Sequence, residues 1–197
     1  FVGKPSAESE QERLQLDMKL TDFEYTGLYL PANTPLEVHV KVLRSQTMPS
    51  LLVGTFDLDG VEPRVYELNL GKNTISDEFG GVLYVRFHDP DSETRITFSE
   101  AALQVPTYTL GNTTQPAWQE QLAFLNLDVP SAVLLSERVM MVVSRQSALS
   151  YQDKDQNVLL QTFDHILNVE ATISGLDVLE RSPYRYLLVE HDDPEWY

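Results

Sequence analysis

Gly80-Gly81-Val82-Leu83-Tyr84-Val85-Arg86-Phe87 decides the class of fold. Its apolar residues, two of them β-branched and one aromatic in a row of four, make it the strongest strand in the chain. The glycine pair ahead of it predicts a tight entry into a central strand. Because the pair precedes a strand, it offers no helix N-terminus to a phosphate. His88-Asp89-Pro90-Asp91 then turns the chain.

Outward from this strand the pattern repeats. Leu28 and Leu30 alternate before the turn Pro31-Ala32-Asn33-Thr34-Pro35. Leu36, Val38, Val40 and Val42 fall on one face, with Glu37, His39 and Lys41 on the other. Leu51 to Phe56 predicts a short apolar strand, Asp57-Leu58-Asp59-Gly60 a turn, and Val65 to Leu68 another extended run. Gly71-Lys72-Asn73 reads as a turn, and Arg95 to Val105, with Ile96 and Phe98 alternating, completes the set. Short strands at this spacing without helices predict a β-sandwich or jelly roll over residues 19–110. Residues 1–18 read as a polar leader, an arm whose Leu14, Leu16, Met18 and Leu20 alternate into the first strand.

The composition changes after that. Thr113-Thr114-Gln115-Pro116 predicts a helix start, since proline costs nothing in a first turn. Trp118, Leu122 and Leu125 follow at helical spacing. Pro130 ends the segment, and Val133-Leu134-Leu135 with Val139-Met140-Met141-Val142-Val143 predicts an apolar hairpin. A longer helix is expected over Gln156 to Ser174. Val158, Leu159, Thr162, Phe163, Ile166, Leu167 and Val169 form its broad buried stripe, and Gly175 is its stop. Tyr184 to Val189 predicts a last strand, so residues 111–197 read as an α/β domain cut short. The fold class is mainly β: a sandwich followed by the start of a second, α/β domain.

The chain of 197 residues carries a formal charge of −16 with no basic cluster to reverse it locally, which argues against nucleic acid as a partner. No apolar run approaches the roughly 18 residues needed to cross a bilayer. The absence of cysteine excludes disulfides, thiolate zinc sites and a cysteine nucleophile, and is consistent with export. No signal peptide is visible, and an opening on Phe1 reads as a piece of something longer.

Candidate chemistry is sparse. His39, His88, His165 and His191 form no H-E-x-x-H, no H-x-H and no H-x-x-x-H, the spacings that face two imidazoles towards one metal. Asp57-Leu58-Asp59-Gly60, His88-Asp89-Pro90-Asp91 and His191-Asp192-Asp193 gather oxygens that calcium could use, but lack an EF-hand's distal glutamate and read first as turn chemistry. There is no G-x-S-x-G, P-loop or G-x-G-x-x-G. Asn112-Thr113-Thr114 is a formal glycosylation sequon. No catalytic or metal residue is assigned in this chain. A binding module is the alternative class, a sandwich recognising carbohydrate or protein, with Tyr25, Tyr29, Tyr66 and Trp118 as candidate stacking residues.

Several segments, taken in order, resemble the front of the enhancin-type metallopeptidases, peptidase family M60 with its mucin-degrading bacterial members. They are Thr26-Gly27-Leu28-Tyr29-Leu30-Pro31 with Leu36 to Val40, then Leu52 to Thr55, then Leu70 to Ile75 running on to Gly80-Gly81-Val82-Leu83-Tyr84-Val85. Thr109-Leu110-Gly111 with Trp118, the stretch Glu137 to Ser144, and the helix carrying Phe163-Asp164 follow in the same order. Ser144-Arg145 departs from that family's proline-serine ending, and the residues before Ser136 lack its usual tryptophan and glutamate. The resemblance implies a secreted or cell-surface zinc peptidase acting on glycoproteins such as mucins. Residues 111–197 would be the first lobe of its peptidase domain. The zinc helix and distal glutamate ligand would lie beyond the matched region, so that zinc belongs to the complete protein and no catalytic residue carries over.

Overall fold

The structure, a computed structural model, describes residues 1–15, 21–44, 47–55, 62–176 and 181–190. The chain divides into two compact units, Phe1–Gln104 and Val105–Tyr197. In the first unit, β1 (Glu24–Leu30), β3 (Ser50–Val53), β4 (Arg64–Glu67), β6 (Gly81–Arg86) and β8 (Leu103–Gln104) form a five-stranded sheet of order β4-β3-β6-β1-β8. A second sheet has β2 (Leu36–Arg44) between β5 (Gly71–Ile75) and β7 (Glu93–Phe98). All these pairings are antiparallel.

The alternation along β2 buries Leu36, Val38 and Val40 and exposes Glu37, His39 and Lys41. The buried set shares one core with Leu51, Val53, Leu83 and Val85 from the five-stranded sheet. Two sheets sharing a core in this way make a β-sandwich. The central strand β6 is also buried on its other face. There Tyr84 packs on Phe23, with ring centroids 4.8 Å apart, and shares a 2.8 Å hydrogen bond with Thr55.

Three local expectations are corrected. Residues 1–14 are not a bare arm. Phe1 and Thr94 exchange hydrogen bonds, Val2 bridges Glu93, and the Gly3 N–H donates to Ser92 O, laying a strap along β7. After it α1 (Ala7–Leu14) is capped by Ser6, whose hydroxyl accepts from the Ser9 N–H, and Glu10 forms a bidentate pair with Arg13. The reading of residues 1–18 as a polar leader missed this helix because it buries little apolar surface. Leu16, Met18 and Leu20 lie outside the described residues. Gly71-Lys72-Asn73 opens β5 instead of forming the turn itself. Asn73 reaches back, its side-chain oxygen accepting from Asn69 N–H and its amide donating to Asn69 O, so the turn residues tie down the segment ahead of them. Finally, Arg95 to Val105 is not one strand. A Ser99–Ala102 turn separates β7 from β8, which join different sheets.

In the second unit, β9 (Thr107–Thr109), β10 (Ser131–Leu135), β11 (Val139–Ser144) and β12 (Tyr186–Val189) form a sheet of order β12-β11-β10-β9. The β10–β11 hairpin is antiparallel, and β9 and β12 join it in parallel at its two sides. Helix α2 (Gln115–Phe124) starts at Thr114 with Pro116 in its first turn, as its sequence predicts. Trp118 meets Tyr108 edge to face at 5.7 Å, inside a core completed by Leu122, Ala132, Leu134, Ala148 and Leu160. Short α3 (Arg145–Ser150) and long α4 (Gln156–Ile173) follow β11. Gly175, at φ +73°, ends α4. Its N–H donates to Thr172 O and the Leu176 N–H to Ala171 O, the paired bonds of a Schellman stop.

Helix α4 corrects the expected broad buried stripe. Leu160, which that reading omitted, is fully buried, and Phe163 and Leu167 are half-buried. Val158, Leu159, Thr162, Ile166 and Val169 are exposed, as is Ile173. At about 100° per residue, Leu160, Phe163 and Leu167 share one face, while Val158, Thr162, Ile166, Val169 and Ile173 share the opposite one. The helix is apolar on both sides, and only one side is covered within its unit.

Candidate functional site

The four histidines stay apart in role. His39 sits mid-strand on the exposed face of β2, across from Lys72 and Thr97. The His88 Nε2 lies 2.6 Å from the Asp22 carboxylate, which also accepts from the Arg86 Nε. His165 is exposed on α4. His191, with Asp192 and Asp193, lies outside the described residues, as do Asp57, Asp59 and Gly60. Asp89 accepts from the Asp91 N–H and from the Thr47 hydroxyl, as turn chemistry requires. Among the described residues no three histidine, cysteine, aspartate or glutamate side chains gather as a metal site. They do not fit a zinc centre, and no catalytic step through a metal follows from them.

The four candidate stacking aromatics form no platform. Trp118 is a core residue. The Tyr66 hydroxyl donates to the buried Asp77, Tyr25 packs towards Tyr84, and Tyr29 is half-buried in β1. Asn112 of the sequon is exposed, but its neighbours serve the fold: the Thr113 hydroxyl accepts from the Thr109 N–H, and Thr114 caps α2.

The most developed constellation is in the second unit, where the sheet, α3 and the start of α4 enclose a partly open cavity of about 270 Å³. Its walls are mostly apolar, with Leu134, Met141 and Val143 from the sheet and Trp118 from α2. Glu190, directly after β12, is its charged lining residue. Burial pushes the Glu190 carboxyl up, but the Ser147 hydroxyl and the Ser144 N–H more than offset this and hold it below the ordinary glutamate range. A carboxylate so held accepts hydrogen bonds. It is poorly suited to donate a proton, and no described histidine or metal set lines the cavity with it. The wall is built to hold a shape.

Two devices position that wall, and neither was legible as such. Arg145 is buried and its guanidinium donates to the carbonyls of Gln121, Leu122, Asn126 and Val129 at 2.8–3.4 Å, closing the C-terminal end of α2. Burial holds its pKa below the ordinary arginine value. The residue that departs from the resembled ending is thus the one that ties α2 to α3. Ser136 and Asp164 form the second device. The Ser136 hydroxyl donates to Asp164 at 2.5 Å and accepts from the Val139 N–H, so the β10–β11 turn is bound to α4.

Comparison with known proteins places both units in one family. Residues 5–99 match the N-terminal domain of M60-like peptidases, and residues 101–193 match peptidase M60, enhancin and enhancin-like. No curated protein matches the chain. A mutant of a functionally unknown conserved protein from Bacillus anthracis is 24% identical, with 98% of this chain and 41% of that one covered at a TM-score of 0.85. The catalytic module of the metalloprotease ZmpA from Clostridium perfringens is 16% identical, with coverages of 98% and 45% and a TM-score of 0.80. The M60 catalytic domain of ZmpC from the same organism, solved with the sialyl T antigen, is 18% identical, with coverages of 96% and 43% and a TM-score of 0.80. At these identities the likeness establishes the fold, and this chain spans less than half the length of each of those structures. With both halves matched in sequence, in the order that family requires, the chain belongs to the M60, enhancin-like peptidases.

Proposed function

We propose that this chain is the amino-terminal part of a secreted zinc metallopeptidase that cleaves glycoproteins such as mucins. Residues 1–104 would be its accessory sandwich and residues 105–197 the first lobe of its peptidase domain. The zinc ligands and the catalytic base would be supplied by residues that this chain does not contain. The observation that carries the reading is the second apolar face of α4. Val158, Thr162, Ile166, Val169 and Ile173 recur at spacings of four, four, three and four, the seam of a helix with a further layer packed on it. A helix on the surface of a finished domain keeps one face polar. The solved relatives, more than twice as long, have enough chain to supply such a layer.

The substrate class rests on two relatives, one solved with the sialyl T antigen and another metallopeptidase solved with the Tn antigen. Secretion follows from such substrates. Among the described residues no helix is long and apolar enough to cross a membrane. The binding-module alternative loses its support, because its four aromatics are each partly or wholly withdrawn from solvent. The test begins with the coding sequence after Tyr197, where an H-E-x-x-H is expected within tens of residues. A longer protein carrying it should cleave an O-glycosylated substrate and lose that activity to a chelator. A stop codon at that point, or a longer product with no chelator-sensitive cleavage, would sink the proposal.

A further inference from the structure

Most of the described basic side chains that engage a partner meet a carboxylate. Arg13 pairs with Glu10, Arg64 with Asp77, Arg86 with Asp22, and Lys72 with Glu37. Arg145 uses a set of carbonyls instead. The end of the second unit's sheet where β11 and β12 begin is different. There the Arg138 Nη1 and the Arg181 Nη1 both donate to the side-chain oxygen of Asn168, at 3.2 and 2.8 Å. Two cations thus converge on one neutral acceptor, and Arg138 is only 8% exposed. Among the described residues neither forms an ion pair. Of the two acids that act on Arg138, Asp164 is engaged through Oδ1 with the Ser136 hydroxyl and the Arg138 backbone N–H, and Glu137 is exposed. Arg185 stands beside them, its Nε donating to Ser136 O, and the Tyr186 ring lies 6.0 Å from the Arg138 guanidinium carbon.

We propose that Arg138 and Arg181, held together over Asn168, form a binding site for an oxyanion, a carboxylate or sulfate group lying between the two guanidiniums. A guanidinium offers five N–H donors in a planar fork, and the amide oxygen of Asn168 uses one from each residue. The remaining donors are matched by the two or three oxygens of such a group, with charge that an amide cannot supply. The electrostatic cost of the convergence falls on Arg138. Burial first, and repulsion from Arg181 next, push its pKa below the ordinary arginine value despite the nearby Glu137 and Asp164. The chain's overall charge of −16 does not forbid the site. At physiological ionic strength charges more than about 8 Å away are largely screened, so the local pair governs.

The site is tested on the purified chain by thermal unfolding in sodium sulfate against sodium chloride at matched ionic strength. With about 10 mM sulfate a rise of about 2–4 °C is expected for wild type, and none for Arg181→Gln. Arg181 is half-exposed, so that variant keeps the fold. Asn168→Asp places a carboxylate under both guanidiniums, and should raise the melting temperature without salt and abolish the sulfate response. The source of the group is read by repeating the titration with 3′-sialyllactose and lactose. A response to the acidic sugar alone, at lower concentration than sulfate, assigns the oxyanion to an acidic saccharide. A response to sulfate that sialyllactose does not match assigns it to a free inorganic ion. No difference between the salts for wild type, or an equal response in Arg181→Gln, overturns the site. Either would mean that the two cations already have their charge met within the chain.

Discussion

Single residues carry constraints that a strand or helix pattern does not display. Gly81 enters β6 at φ +142°, and a Cβ there would lie 2.6 Å from the Gly54 Cα, in the backbone just past the end of β3. Gly81→Val is expected to destabilise the first unit by about 2–3 kcal/mol, read as a lower denaturation midpoint with unchanged slope. An unchanged midpoint would show that the entry tolerates a side chain. Asp77 is 1% exposed and accepts from Arg64 Nε and Nη2, the Tyr66 hydroxyl, and the Phe79 and Gly80 N–H groups. Burial pushes its carboxyl up, but these donors, Arg64 foremost, hold it below the ordinary aspartate range. A carboxyl depressed in the folded state stabilises fully above its unfolded pKa and loses that contribution as the pH falls through the folded one. Acid titration of the wild type should therefore show a stability loss below the ordinary aspartate range that is missing in Asp77→Asn. The variant itself should be about 2–4 kcal/mol less stable at neutral pH, because Arg64 loses its counter-ion. Parallel acid profiles for the two proteins would remove Asp77 from this role.

At the scale of elements the sequence was most readable where one period applied. The alternation of β2, the apolar run of β6, the hairpin and the ends of α4 all stand where their residues place them, because each is fixed by one buried face or by a local stop such as Gly175. Legibility failed where two periods overlapped. Along α4 the residues facing the core and those facing away are both apolar, so their sum reads as one broad stripe, and only the packing separates Leu160 from Ile166. The site was less readable still. Arg145 and the Arg138–Asn168–Arg181 cluster join residues from separate elements, and no spacing along the chain records such a meeting. The two faces of α4 predict opposite responses. Leu160→Ala should cost about 2–4 kcal/mol by opening a cavity in the core. Ile166→Glu should leave the melting temperature within a degree or so while lowering the binding of a hydrophobic dye, since exposed positions tolerate charge. A large loss of stability in Ile166→Glu would show that this face is already covered in the isolated chain.

For the molecule as a whole, the family assignment fixes the fold, and among the described residues no metal-binding cluster gathers. Equilibrium dialysis should accordingly leave less than one tightly held zinc per chain, because four dispersed histidines and no cysteine give poor tetrahedral ligation. One zinc retained per chain against buffer would point to a centre involving His191 or its acidic neighbours. The strap at the amino end has a further consequence, for the order in which the first unit assembles. Phe1 meets Thr94, 93 residues later, which is almost the longest separation that unit permits. Closing so long a loop is slow compared with pairing a hairpin, and its entropy must be met before the strap's few hydrogen bonds form. During synthesis residues 1–3 emerge well before β7 and are thus among the last of their unit to dock, waiting until that strand exists. In the finished protein the same short ladder, which apart from Phe1 holds little apolar area, is a natural place for opening to begin. Amide exchange at Gly3 and Thr94 should be far faster than in β6, and it marks the seam where the sandwich first comes undone.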